Sequence, residues 1–157
     1  MKAAFLFVLL APIFLNARAG PLPRDALASV DETTDLKSVY AVLARDSKSQ
    51  STTHFSADTP KIETFWKGHR LDAGDRVHAI WIAEDVGPVA PKASKVTEVS
   101  ITAYKSDEEG TFSLARPDEG WLVGNYRLEI YLNGKLTQIV RFSIDKGVTV
   151  DIGRARN

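Results

Sequence analysis

Three histidines, His54, His69 and His78, are the first residues to test for chemistry, because imidazole serves both as a metal ligand and as a base near neutral pH. No two of them stand at the i, i+2 or i, i+4 spacing that puts ligands on one face of a strand or helix. Solvated or hydrogen-bonded rings are therefore expected, and no metal. Carboxylates gather in Ala83-Glu84-Asp85 and in Asp107-Glu108-Glu109-Gly110. A glycosidase pair or a calcium loop would need such groups to converge; an acidic hairpin loop is the simpler reading. No serine has the Gly-x-Ser-x-Gly setting of a nucleophile on a strained turn. Leu122-Val123-Gly124-Asn125-Tyr126 lacks the lysine and the following helix of a phosphate loop. The chain has no cysteine, hence no thiolate ligand or nucleophile and no disulfide framework. An enzyme is not expected, nor a cofactor.

Aromatic residues remain as binding groups. Phe65 and Trp66 are adjacent in a β-rich run, so their side chains must leave opposite faces of a strand. Phe65 is taken as the core member and Trp66 as the outward one. Trp121 follows Gly120 in a loop, and alternation sends Tyr131 away from the Ile130 face. Exposed flat rings stack on sugars or anchor a protein partner. The expected contact set is Trp66, Trp121 and Tyr131, clustered on one surface.

The N-terminus of the chain reads as a secretion signal. Lys2 supplies the positive charge, Ala3 to Leu15 is nearly all apolar, and Ala17-Arg18-Ala19 sets small residues at a cleavage site. That apolar run is shorter than the ~20 residues that span a bilayer. No later segment qualifies, so no membrane span is expected. Residues 1–19 would be removed, residues 20–36 form a proline-bearing flexible arm, residues 37–152 a single domain and residues 153–157 a tail. The formal net charge of the whole chain is +0, and losing Lys2 and Arg18 leaves a slight acidic excess. No basic stripe invites nucleic acid.

The domain reads as β throughout. Leu36, Val39, Tyr40 and Leu43 fit a helical stripe, while Val39, Ala41 and Leu43 fit strand alternation. A strand is expected, since everything downstream is β. Further strands are expected in Lys61–Gly68, Arg76–Asp85, Lys95–Tyr104 and Thr111–Ala115, separated by turn-forming segments. The last two strands form one hairpin. Tyr126, Leu128 and Ile130 share a face of the first arm; Leu136, Gln138, Val140, Phe142 and Ile144 share a face of the second. A three-residue loop, Leu132-Asn133-Gly134, would bring these faces together by pairing Ile130 with Leu136 and Tyr126 with Val140.

Gly124-x-Tyr126 at the start of the penultimate strand resembles the tyrosine corner of immunoglobulin-like domains, and Trp81 in mid-strand resembles their core tryptophan. With Phe-x-x-Asp-Thr-Pro at Phe55 to Pro60, Gly74-Asp75, and Gly-Trp-x-x-Gly-x-Tyr from Gly120, the run Lys37 to Ile144 is similar to immunoglobulin-like modules of exported bacterial proteins. The resemblance implies an all-β, immunoglobulin-like antiparallel β-sandwich of seven to eight strands. Exported copper carriers also use a sandwich of this size, but with methionines and an N-terminal histidine. Here the sole methionine is Met1, and cleavage would leave Gly20-Pro21 first. The expected role is a periplasmic or secreted, non-catalytic binding or adaptor module. It would contact an envelope or extracellular protein through a sheet face or an edge strand. The alternative is a carbohydrate-binding module stacking a glycan on the three exposed rings.

Overall fold

Residues that alternate in the sequence also alternate in burial. Val39, Ala41 and Leu43 are buried, while Ser38, Tyr40 and Val42 are half-buried. A period of two is the signature of a strand, and that settles this segment against the helix. The computed structural model describes residues 13–16, as backbone, and 36–147. The expected cleavage site at Ala17 to Ala19, the arm from 20 to 35 and the residues after 147 lie outside that set.

The strands in chain order are β1 (Ile13–Asn16), β2 (Ser38–Ala44), β3 (His54–Ser56), β4 (Lys61–His69), β5 (Arg76–Asp85), β6 (Ser94–Thr102), β7 (Glu109–Ala115), β8 (Gly124–Leu132) and β9 (Lys135–Asp145). One sheet has the order β1-β7-β4-β2, the other β3-β9-β8-β5-β6. All pairings are antiparallel except β3 with β9. The two sheets close on a core of Trp66, Trp81, Phe112, Leu128, Ile130, Phe142 and Ile144, among others. This is an all-β sandwich of immunoglobulin-like form, and none of its helices among the described residues is long and apolar enough to cross a membrane.

The tyrosine corner is present. The Tyr126 hydroxyl donates to the Leu122 carbonyl at 2.7 Å, pinning the loop that enters β8. Burial raises the pKa of that hydroxyl to about 12. Tyr126→Phe keeps the ring, which stacks on Phe142, and removes one hydrogen bond. A loss of about 1 kcal/mol in urea unfolding is expected. An unchanged midpoint would show that only the ring matters.

The hairpin corrects the expected loop. Its turn has two residues, Asn133 and Gly134, with Leu132 paired to Lys135 and φ of 51° and 81° at the turn. This is the primed turn favoured by strand twist. The parity of the second arm changes further on, at a bulge between Ile130 and Tyr131, so that Tyr131 faces Leu136 while Ile130 faces Gln138. Thr137 is the extra residue, and its hydroxyl donates to the Ile130 carbonyl at 3.0 Å. One inserted residue flips every later side chain to the other face. Leu136 is thereby left exposed, while Phe142 and Ile144 reach the core. Gln138, the polar member of its set, bridges the sheets: its amide accepts from Ala41 N at 2.7 Å and donates to Ala41 O at 3.0 Å.

The hairpin tip is also tied to the β4–β5 turn. Asp75 accepts from the Asn133 side chain, the Asp72 amide and the Lys37 ammonium at 2.8, 2.8 and 3.0 Å. These bonds, the Asn133 amide first, lower its pKa from 3.8 to about 2. A depressed carboxylate binds fewer protons folded than unfolded, so its contribution is complete above pH 3.8 and disappears as pH falls through 2. Urea midpoints of the wild type and Asp75→Asn should therefore converge between pH 4 and 2. A constant gap over that window would assign the carboxylate no role in acid stability.

Candidate functional site

β7 is the strand on which a binding surface can be built. Phe112 and Leu114 are buried while Thr111, Ser113 and Ala115 are half-buried, so the strand lays one face on the core. Phe112 holds it there by stacking on Trp66 at 5.8 Å and meeting Trp81 edge-on at 6.2 Å. Its inner neighbour is β4, where Trp66 pairs with Gly110. A Cβ at position 110 would sit 2.7 Å from the indole of Trp66, so only glycine allows the ring to lie against the strand.

The other side of β7 is where it meets β1. Ile13, Phe14, Leu15 and Asn16 pair with Leu114, Ser113, Phe112 and Thr111 in antiparallel register. These four residues belong to the segment whose composition reads as a secretion signal. Without them β7 is the last strand of its sheet.

The remaining sheet borders are each blunted by a recognisable device. β3 is three residues long. β6 carries Lys95 and Glu98, paired at 2.8 Å, with His78 at 3.1 Å from the same carboxylate. β2 has both backbone groups of Ala41 taken by Gln138. From Gly110 to Leu114, β7 reads Gly-Thr-Phe-Ser-Leu, with neither charge nor proline. Its one charge is Glu109 at the start of the strand, 3.8 Å from Lys67 of β4, and residues 110–114 have none of these guards.

Beside this border a cleft of about 440 Å³ opens between β6 and β7, lined by Trp66, Ile101, Tyr104, Gly110 and Phe112, among others. Tyr104 stands just beyond β6 and is 80% exposed. Its amide donates to the Glu108 carboxylate at 2.6 Å, closing the β6–β7 loop on itself. An edge strand is one of the two contact modes expected from the sequence, which singles out neither β7 as that edge nor Tyr104. The available signal was an aromatic ring at a strand end, followed by an acidic turn and an uncharged strand.

The expected aromatic set does not assemble. Trp66 is 1% exposed and belongs to the core. β4 alternates Ile62, Thr64 and Trp66 inward, which makes Phe65 the outward residue of its pair, the reverse of the expectation. Phe65 is itself buried on that opposite face, flanked by Val42 and Thr111. Trp121 is also buried and donates its indole N–H to the Thr59 carbonyl at 2.6 Å. Tyr131 alone lies on an outer face, on the five-stranded sheet, where its hydroxyl donates to Glu129 at 2.6 Å. That bond raises the Tyr131 pKa and lowers that of Glu129. Arg127 joins Glu129 to Glu84 at 2.7 and 3.1 Å, so this face is a lattice of paired charges. The histidines occupy separate settings: His54 beside Thr53, His69 3.8 Å from Asp107, and His78 against Glu98 and the Tyr131 ring.

The fold is an immunoglobulin-like sandwich in which, among the described residues, β7 is bordered by β1. No family model matches the chain, and no curated protein does. Among solved structures, an immunoglobulin-like protein from Pseudomonas aeruginosa is similar over 86% of this chain and 98% of its own, with 13% identity and a TM-score of 0.43. The alkylpurine DNA glycosylase AlkC from Pseudomonas fluorescens, solved on DNA containing an abasic site analogue, is similar over 71% of this chain, with 11% identity and a TM-score of 0.45. This chain spans 30% of the glycosylase's length.

Proposed function

We propose that this chain is an exported, non-catalytic binding or adaptor module, periplasmic or secreted, that holds a protein partner by adding the partner's strand to β7. The observation that carries the reading is the strand already seated there, Ile13–Asn16 on Thr111–Leu114. The edge thus accepts an extended apolar segment in a defined antiparallel register, and from Gly110 to Leu114 it carries neither charge nor proline. Removal of residues 1–19 at the signal-like site would empty it. Main-chain hydrogen bonds then supply affinity, and side chains at alternate positions supply specificity. Sugar stacking on Trp66, Trp121 and Tyr131 has no common exposed platform to use, since the first two are buried.

Amide hydrogen exchange tests this on the chain beginning at Gly20. Among the described residues every buried core side chain lies between Val39 and Ile144, and that chain retains all of them. Alternate amides of residues 111–114 should exchange fast, and an excess of a synthetic peptide of residues 11–18 should slow them. Protection that is the same with and without the peptide would remove strand addition as the binding mode.

A further inference from the structure

Resting on that reading, we infer that the β7 edge selects partner strands with a bulky apolar side chain opposite Gly110, seated in the cleft against Tyr104 and Ile101. Gly110, Phe112 and Leu114 share the inward face of β7, because Gly110 lies against Trp66 and the other two lie in the core. In an antiparallel pair, residues directly opposite each other project to the same face. An added strand therefore offers inward residues opposite Leu114, Phe112 and Gly110, spaced two apart.

The three positions are unequal. Opposite Leu114 and Phe112 the inward face of β7 is already filled by its own side chains. Gly110 has none, and the cleft opens at its level between β6 and β7. The Trp66 indole covers Gly110 from the β4 side, 2.7 Å from where a Cβ would stand, and forms the floor on which a side chain entering the cleft would pack. The far wall is Ile101, half-buried, and Tyr104, whose ring is exposed. A ring this exposed has apolar area left to bury, which makes it a fitting anchor contact. With 440 Å³ available, one leucine or aromatic side chain fits the cleft.

The chain's own N-terminal segment lacks that anchor. In a peptide placed in the β1 register, residue 13 faces Leu114 and residue 15 faces Phe112. Residue 17 then falls opposite Gly110, and it is alanine. The segment has the right main chain and the wrong side chain, which suits an occupant that a partner must replace.

Two fluorescent peptides of residues 11–18, one native and one carrying Ala17→Leu, are titrated against the chain beginning at Gly20. The leucine peptide should bind roughly tenfold tighter or more, the scale of one buried anchor. Tyr104→Ala should reduce that advantage to less than about twofold; Tyr104 lies at the surface and bonds to Glu108 through its backbone amide, so the fold survives the loss of its ring. Equal affinity of the two peptides would overturn the cleft as a selectivity site and leave strand addition standing. An advantage that persists in Tyr104→Ala overturns the assignment of the cleft wall. Binding of neither peptide would overturn both readings.

Discussion

Trp81→Ala is expected to cost roughly 3–5 kcal/mol, the range of a large aromatic removed from a packed core. Trp81 is 1% exposed and sits in the middle of β5, the strand between β6 and β8. It meets Phe112 of the opposite sheet edge-on at 6.2 Å, so its ring is a contact across the sandwich. Its indole N–H finds no hydrogen-bond partner among the described residues. The loss is consequently one of volume, and Trp81→Phe should recover a large part of it. Urea unfolding of both variants decides the matter. A Trp81→Ala midpoint close to wild type would mean that the sheets close without this ring. Because Phe112 also holds β7, Trp81→Ala should additionally speed amide exchange at the β7 edge.

The second large effect belongs to Gly124, the first residue of β8. Its φ is +153°, and a Cβ there would stand 2.3 Å from the Asp85 carbonyl oxygen and 2.8 Å from the Val86 Cα. Both neighbours are backbone, which cannot swing aside as a side-chain tip can. They lie where β5 leaves its pairing with β8, at the irregularity between Ala83 and Asp85. Gly124→Ala combines that clash with a backbone conformation L-residues rarely adopt. A loss on the order of 3 kcal/mol or more is expected, from overpacking and strain together. Tyr126 two residues later shares the same corner, so the variant should also release the Tyr126 hydroxyl from Leu122. Opening of the corner would admit water to the hydroxyl, and with burial relieved its ultraviolet titration would move down from about 12 toward the ordinary tyrosine value. A folded variant with normal stability and an unmoved tyrosine titration would refute the close packing of this corner.

The strands at β2 and β4 to β9, the turn-forming residues and the tyrosine corner could be read from the chain alone, because each depends on residues within a few positions of one another; β1, β3 and the length of the hairpin turn could not. Val39, Ala41 and Leu43 alternate because successive side chains leave opposite faces of a pleated strand. Asn133-Gly134 turns because both residues tolerate positive φ. The same local rule says that Phe65 and Trp66 face opposite ways and is silent on which way is in. That was decided by β7, forty-odd residues downstream, whose Phe112 offers Trp66 a stacking partner and whose Gly110 leaves it space. The hairpin shows the same division: matching its apolar faces required one extra residue, and the loop and Thr137 were equally able to supply it by count. Turn twist and the Thr137 hydroxyl bond placed it in the strand. The edge at β7 was hidden most completely, since a strand is a border only when the order of all its neighbours is known. That order follows from long-range pairing and core closure, which no short window of sequence contains.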